Sequence, residues 1–367
     1  MDFVAFRRAL HAAPELSGEE AATAARIVEA LPAPDALLTG LGGHGVAAVY
    51  AGAAPGPTLM FRAELDGLPI QEISDFAHRS RTPGKGHLCG HDGHMAALLA
   101  LAFDLARDRP KRGRAVLMFQ PAEETGAGAA AVLSDPRFAQ IAPDFAFAWH
   151  NMPGLPLGQA ALKAGPANCA SRGLALTLTG RTAHASAPET GVSPMRALAR
   201  LMPALTALGG EAFRLATITH ARLGEPAFGV APGEAELFAT LRTLTDDGMG
   251  ALVDAAEALI GEVARAEGLR AQIAYRDVFA HCENAPEATE RLARALAAEG
   301  IRVGEAGLPM RASEDFGRFR AACPSAMFLL GAGERAPALH NPDYDFPDAL
   351  IPIAAGVMAR AAREALG

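Results

Sequence analysis

Ala115-Val116-Leu117-Met118-Phe119-Gln120-Pro121-Ala122-Glu123-Glu124-Thr125-Gly126 decides how this chain is read. Five consecutive apolar residues suit a strand covered on both faces, and here they run straight into a polar cluster closed by glycine. Three other segments share this build. Thr58-Leu59-Met60-Phe61 runs into Arg62-Ala63-Glu64-Leu65-Asp66-Gly67-Leu68-Pro69, and Phe145-Ala146-Phe147-Ala148-Trp149 into His150-Asn151-Met152-Pro153. Ala326-Met327-Phe328-Leu329-Leu330 precedes Gly331-Ala332-Gly333 and then Leu339-His340-Asn341-Pro342. With helical patterns between them, such runs predict an α/β domain: a mostly parallel sheet with helices on both faces. Ligands of such sheets sit outside the carboxyl ends of the strands, where each of these polar clusters falls.

The window densest in ligand atoms is His87-Leu88-Cys89-Gly90-His91-Asp92-Gly93-His94, with three imidazoles, a thiol and a carboxylate. Gly90 allows a tight bend between Cys89 and His91. Met95 to Leu105 reads as a buried helix, and a helix N-terminus would favour the thiolate that binds metal. The segment reads as the centre of a metal site, although alone it also fits a polar loop with one buried cysteine. With the strand ends added, the candidate ligands are Cys89, His91, Glu124, His150 and His340. If Glu124 binds metal, its neighbour Glu123 can face the metal-bound water as general base. In isolation Glu123-Glu124 also suits a solvated turn, and His150 or His340 a structural role.

The remaining chain sets the organisation. Helical spacing from Arg7 to Leu31 breaks at Pro14, and Ser17 with Glu20 reads as a capping box for the second helix. Loops rich in Pro, Gly and Ala, from Pro32 to Pro57, surround a short strand at Val46 to Ala51. Beyond Cys169 the rhythm changes. Strands at Leu174–Thr179, Leu215–Ala221, Ala235–Leu244 and Ala271–Val278 alternate with helices at Pro194–Leu208 and Met249–Glu267. That βαββαβ order predicts an inserted ferredoxin-like lid domain, residues 170–282, which leaves a discontinuous catalytic domain of residues 1–169 and 283–367. Its open sheet face and edge offer a surface for a homodimer.

Composition excludes several classes. Of 367 residues 50% are hydrophobic and 20% charged, a globular balance. Acidic residues outnumber basic ones, 41 to 33, without a basic cluster, so nucleic acid is not an expected partner. Met1-Asp2-Phe3-Val4 carries no basic segment leading into an apolar core, and no apolar run reaches membrane-spanning length. Cys89, Cys169, Cys282 and Cys323 are too scattered for a disulfide framework, which points to the cytoplasm. Gly40-Leu41-Gly42-Gly43 lacks the strand-to-helix setting of a dinucleotide site.

These segments, in this order, resemble the M20 family of metallopeptidases, in the amidohydrolase branch that includes hippurate hydrolases, N-acyl-amino-acid amidohydrolases and plant indole-acetyl-amino-acid hydrolases. The resemblance rests on Arg8 to Ser17, Arg62 to Pro69, His87 to His94, Gln120 to Glu124, Trp149-His150, His184-Ala185-Ser186-Ala187-Pro188, Ser313-Glu314-Asp315-Phe316 and Leu339 to Pro342. It implies two divalent metal ions per subunit, manganese or zinc, bound by Cys89, His91, Glu124, His150 and His340, with Glu123 as base. It implies that His184 polarises the substrate carbonyl, often in a partner subunit, and that the lid carries a dimer contact. Asp66 and Asp92 fall where carboxylates orient metal ligands, and Asp315 where one shapes the pocket wall or starts a helix. Three positions depart from the pattern: Glu64 replaces aspartate, Gly229 an asparagine thought to contact substrate, and Glu189 a histidine. The expected reaction is hydrolysis of the amide bond of an N-acyl amino acid or a related small amide. The alternatives are an exopeptidase for dipeptides, a cysteine-nucleophile hydrolase built on Cys89 and His91, and a silent binding protein.

Overall fold

Alternating burial along the central strands shows why one sheet forms with a core on each side. Leu59, Phe61 and Ala63, like Ala115, Leu117 and Phe119, point into one apolar cluster, whereas Met60, Val116 and Met118 point into another. A computed structural model describes all residues from 1 to 367. The chain begins with α1 (Phe3–His11), α2 (Ala21–Ala30), β1 (Ala36–Leu41), β2 (Gly45–Ala51), β3 (Ala54–Glu64), α3 (His91–Arg107), β4 (Arg112–Gln120), α4 (Gly128–Ser134) and β5 (Phe145–Pro153). Short strands β6 (Ala160–Ala161) and β7 (Gly165–Asn168) lead to β8 (Ala170–Thr179), β9 (Ala183–His184), α5 (Met195–Ala207), β10 (Arg214–Leu223), β11 (Val230–Ala231), β12 (Glu234–Thr243), α6 (Asp246–Ala266) and β13 (Arg270–Phe279). The last part holds β14 (Cys282–Asn284), α7 (Pro286–Ala298), β15 (Val303–Gly304), β16 (Ser325–Gly333) and α8 (Leu350–Leu366).

Two units result: Met1–Ala167 with Cys282–Pro309 and Glu314–Gly367, and Asn168–His281 with Met310–Ser313. In the first, the sheet order is β1-β2-β4-β3-β5-β16-β6-β15. β3 pairs in parallel with β4 and β5, and β5 with β16, so four central strands end on the same side. β2 joins β4 antiparallel, and so does β1 with β2, giving the sheet a mixed margin. The core against α1, α3, α7 and α8 includes Phe61, Leu117, Leu99, Leu292 and Val357; the opposite core holds Met60, Met118 and Val132 of α4. β1 lies within the stretch from Pro32 to Pro57 that reads as loops around one strand, because its residues are mostly exposed and show no buried apolar run.

The capping box at Ser17 and Glu20 does not form. Glu15 takes its place, accepting hydrogen bonds from the Ala22 N–H (3.2 Å) and Thr23 N–H (2.6 Å) at the start of α2. Ser17 instead donates to Asp66 at 2.6 Å, and Glu20 accepts from the Ala122 N–H at 2.8 Å. Both residues are recruited to the loops at the strand ends, where buried polar groups need partners more than a helix end does.

The second unit has a four-stranded antiparallel sheet in the order β10-β12-β8-β13. Leu174, Leu176 and Leu178 of β8 pack with Leu201 of α5 and Leu252 and Ile260 of α6 in a separate core. This is the ferredoxin-like βαββαβ arrangement. Met310–Ser313 joins it through backbone bonds from the Cys169 N–H to Met310 O (3.2 Å) and Ala312 O (3.1 Å), and through Arg242, which donates to Arg311 O and Ser313 Oγ.

Candidate metal centre

Gly90 sets the geometry. It caps α3 with φ +93°, and a Cβ there would lie 2.3 Å from Asn151 Oδ1, so a left-handed turn and a close approach both require glycine. The turn aims Cys89 and His91 at the ends of β4 and β5. Cys89 Sγ is 3.5 Å from His150 Nε2. His91 Nε2 is 3.8 Å from Glu124 Oε1 and 3.9 Å from Glu123 Oε2, and His340 Nε2 is 3.7 Å from Glu124 Oε2. Ligand atoms of Cys89, His91 and His150 lie within 4.8 Å of one another, as do those of Cys89, Glu124 and His340. Five side chains separated by up to 251 positions of sequence thus converge.

Two of the rings are oriented by main-chain carbonyls. His91 donates Nδ1–H to Asp66 O at 2.8 Å and His150 donates Nδ1–H to Asn151 O at 2.8 Å, which leaves both Nε2 atoms facing inward. Asp66 also accepts the Glu124 N–H at 2.9 Å, so this buried residue holds two of the candidate ligands. His340 adopts φ +67° and its N–H donates to Leu88 O at 2.9 Å; Ala122, before the acidic pair, has φ +49°. Non-glycine residues in the left-handed region are costly and gather where a site imposes its geometry. His91 Nε2 and Glu124 Oε1 are buried without a hydrogen-bond partner. Leaving such atoms unmatched is expensive, and sulfur, imidazole and carboxylate donors facing one point suit a divalent cation.

Burial, then the Glu124 charge, pushes the Cys89 thiol well above its ordinary range. Burial and the neighbouring His94 hold His150 down at about 3, a neutral ring able to ligate. Burial and the Glu314 and Glu124 charges raise Glu123 well above the carboxylate range, and burial lifts Glu124 to about 7. Glu123 Oε1 accepts the Asp315 N–H at 3.0 Å, and Asp315 is the first residue of a 3-10 turn capped by Glu314. His94, one turn beyond His91, is taken up by Glu64 Oε2 (2.6 Å, at Nδ1) and Asn151 Oδ1 (2.6 Å, at Nε2), and Asn151 donates to Tyr344 Oη at 2.6 Å. Sequence reasoning missed this chain, although Glu64 and His94 both stood in its motifs.

Asp92 departs from expectation. Its Oδ2 accepts from Arg7 Nη1 (3.1 Å) and His11 Nδ1 (2.9 Å), not from His91 or His150. Arg7 also meets Asp345 (2.6 Å) and Asp348 (2.9 Å), and His11 faces Glu72 at 3.4 Å. Asp92 therefore ties the first turn of α3 to α1. Burial opposes a charge on His11, but Asp92 and Glu72 outweigh burial and the Arg7 charge and raise it to about 10, from 6.5. Its folded value exceeds the unfolded one, so its stabilisation is complete below about pH 6.5 and disappears as pH rises through about 10. We expect the unfolding free energy from urea titrations to fall over this window, by roughly 3–5 kcal/mol, and a His11→Gln variant to lack most of that decline.

His184 stands in the second unit, exposed, where β9 pairs with β11 (His184 opposite Val230), and its Nδ1 is 2.7 Å from Ser186 Oγ. Gly229 accepts the Ala185 N–H at 3.0 Å, and a Cβ at this position would meet open space, so packing does not demand glycine there. Glu189 lies exposed in a 3-10 turn at Pro188–Thr190.

Residues 60–364 match peptidase family M20/M25/M40. The chain belongs to that family. Among its relatives, the N-acetyldiaminopimelate deacetylase of Geobacillus sp. (strain WCH70) is 32% identical, over 90% of this chain and 89% of the relative. The hippurate hydrolase of Campylobacter jejuni is 30% identical, over 98% of this chain and 96% of the relative. A Bacillus subtilis crystal structure described as a dinuclear metal-binding peptidase from the M20 family superposes with a TM-score of 0.82 at 25% identity, covering 99% and 97% of the two chains.

Proposed function

We propose that the protein is a metal-dependent amidohydrolase that cleaves the amide bond of N-acyl amino acids or related small amides. One observation carries the reading: Cys89, His91, Glu124, His150 and His340 converge with inward-facing donor atoms, and a buried Glu123 stands beside them. Two divalent ions, manganese or zinc, held by those five residues would lower the pKa of a water and polarise the scissile carbonyl. Glu123 Oε2 takes the proton of the attacking water and delivers it to the departing amine nitrogen, while the Asp315 N–H steadies Oε1. Its raised proton affinity suits the second of these tasks. Asp66 keeps His91 and Glu124 in place. His184 supplies a donor toward the carbonyl oxygen, from its own or a partner subunit. The exposed edge strand β10 offers ten residues of backbone for a homodimer through the second unit.

Hydrolysis of N-acetyl, N-benzoyl and indole-acetyl amino acids with added manganese, cobalt or zinc tests the activity, with dipeptides as the counter-screen. We expect turnover that chelation abolishes and divalent ions restore, and an apo-protein that regains less than half the metal stoichiometry when His91 is replaced by alanine. Turnover undiminished by thorough chelation, confirmed by metal analysis, would refute the reading.

A further inference from the structure

Arg62 lies on β3, fully buried, two residues after Met60 and so on the side of the strand that packs toward α4. The parallel register puts Glu64 beside Gln120, the last residue of β4, with Arg62 two residues earlier on the same face. Arg62 bonds Glu64 through Nη1, donates Nε–H to Gln120 Oε1 at 3.0 Å, and places Nη2 3.0 Å from Glu314 Oε1 as an ion pair. Gln120, itself buried, then donates from Nε2 to Asp315 Oδ2 at 2.9 Å. Arg62 thus fixes both side chains that flank one peptide bond, Glu314 directly and Asp315 through Gln120. The N–H of that peptide, at Asp315, is the group that holds Glu123 Oε1.

We propose that Arg62 and Gln120 are positioning residues for the Glu123 carboxylate, acting through the Glu314–Asp315 peptide. The inference rests on the reading of Glu123 as the base. A neutral amide at residue 120 suits the task because it accepts from Arg62 with one end and donates to Asp315 with the other. Lysine at residue 62 would keep the charge and lose the planar fork that reaches Glu64, Gln120 and Glu314 at once.

The test is Gln120→Leu, similar in volume and unable to make either bond. A displacement of about 1 Å at a reacting group costs up to about 100-fold. On an N-acetyl amino acid, kcat should fall roughly 10- to 100-fold, with KM and bound metal nearly unchanged. Amide exchange at Asp315 should accelerate. In a Glu123→Gln background, Gln120→Leu should change the residual rate little, because the group it positions is already gone. Arg62→Lys should lower kcat as well. Equal loss in both backgrounds, an unchanged kcat in Gln120→Leu, or full activity in Arg62→Lys would each overturn the inference. Should Gln120→Leu fail to fold, Gln120→Met carries the same comparison. A near wild-type rate in Glu123→Gln alone removes the base itself, whereas an inactive Glu123→Gln with a fully active Gln120→Leu removes only the positioning role.

Discussion

Replacing Glu123 by glutamine should lower kcat by roughly 10²- to 10⁴-fold, the range a positioned acid-base group supplies, while bound metal stays at the wild-type level. The amide is nearly isosteric and can still accept the Asp315 N–H through its carbonyl oxygen, so the loop keeps its anchor. None of the five candidate ligands is altered, and His91 and Glu124 remain held by Asp66. What disappears is the capacity to take a proton at Oε2. Because the proposed mechanism also has this carboxylate return the proton to the amine, the loss should fall at the upper end of the range. Steady-state kinetics beside metal analysis of the same preparation separates this from loss of ions. A variant with normal metal and near wild-type turnover would mean that another group does the proton transfer.

The parts legible in the sequence were those carried by local pattern. Ala115–Phe119 and its counterparts were visible because a strand buried on both faces has no polar alternation to hide it. The lid showed itself through the order of its strands and helices, and the cluster around Cys89 and His91 through its density. Hidden features depended on partners distant in the chain. Asp92 finds Arg7 and His11 across more than 80 positions, and Ser17 finds Asp66 across 49. Local rules assigned Ser17 and Glu20 to a helix cap, yet tertiary demand for buried hydrogen bonds took both elsewhere. The φ of His340 and of Ala122 leaves no mark in residue type, since neither is a glycine. The Arg62–Gln120–Asp315 chain needed the β3–β4 register, which only the folded sheet supplies. Met310–Ser313 belongs to the second unit through backbone bonds that no composition shift announces.

Asp92→Asn should destabilise the first unit by about 3–5 kcal/mol, the cost of removing one partner from a buried ion pair. Asp92 is wholly buried and is the carboxylate shared by two cations, Arg7 and His11. Asparagine keeps the shape and removes the charge, so Arg7 and His11 are left facing one another with less to offset them. Arg7 retains Asp345 and Asp348, and His11 retains Glu72. His11, however, has an escape: with Asp92 gone, burial can drive off its proton, a change that costs most where the unfolded chain holds that proton. The penalty should therefore be largest near pH 5, below the ordinary histidine value of 6.5, and shrink toward pH 9. Urea unfolding of Asp92→Asn and wild type at both pH values measures the difference. If Asp92 instead served the metal ligands, the variant would lose metal and turnover with little change in unfolding midpoint. The contacts to α1 require the opposite: lower stability, with metal content and kcat of the folded enzyme within about threefold of wild type, far less than the 10- to 100-fold loss that follows removal of a ligand-orienting carboxylate.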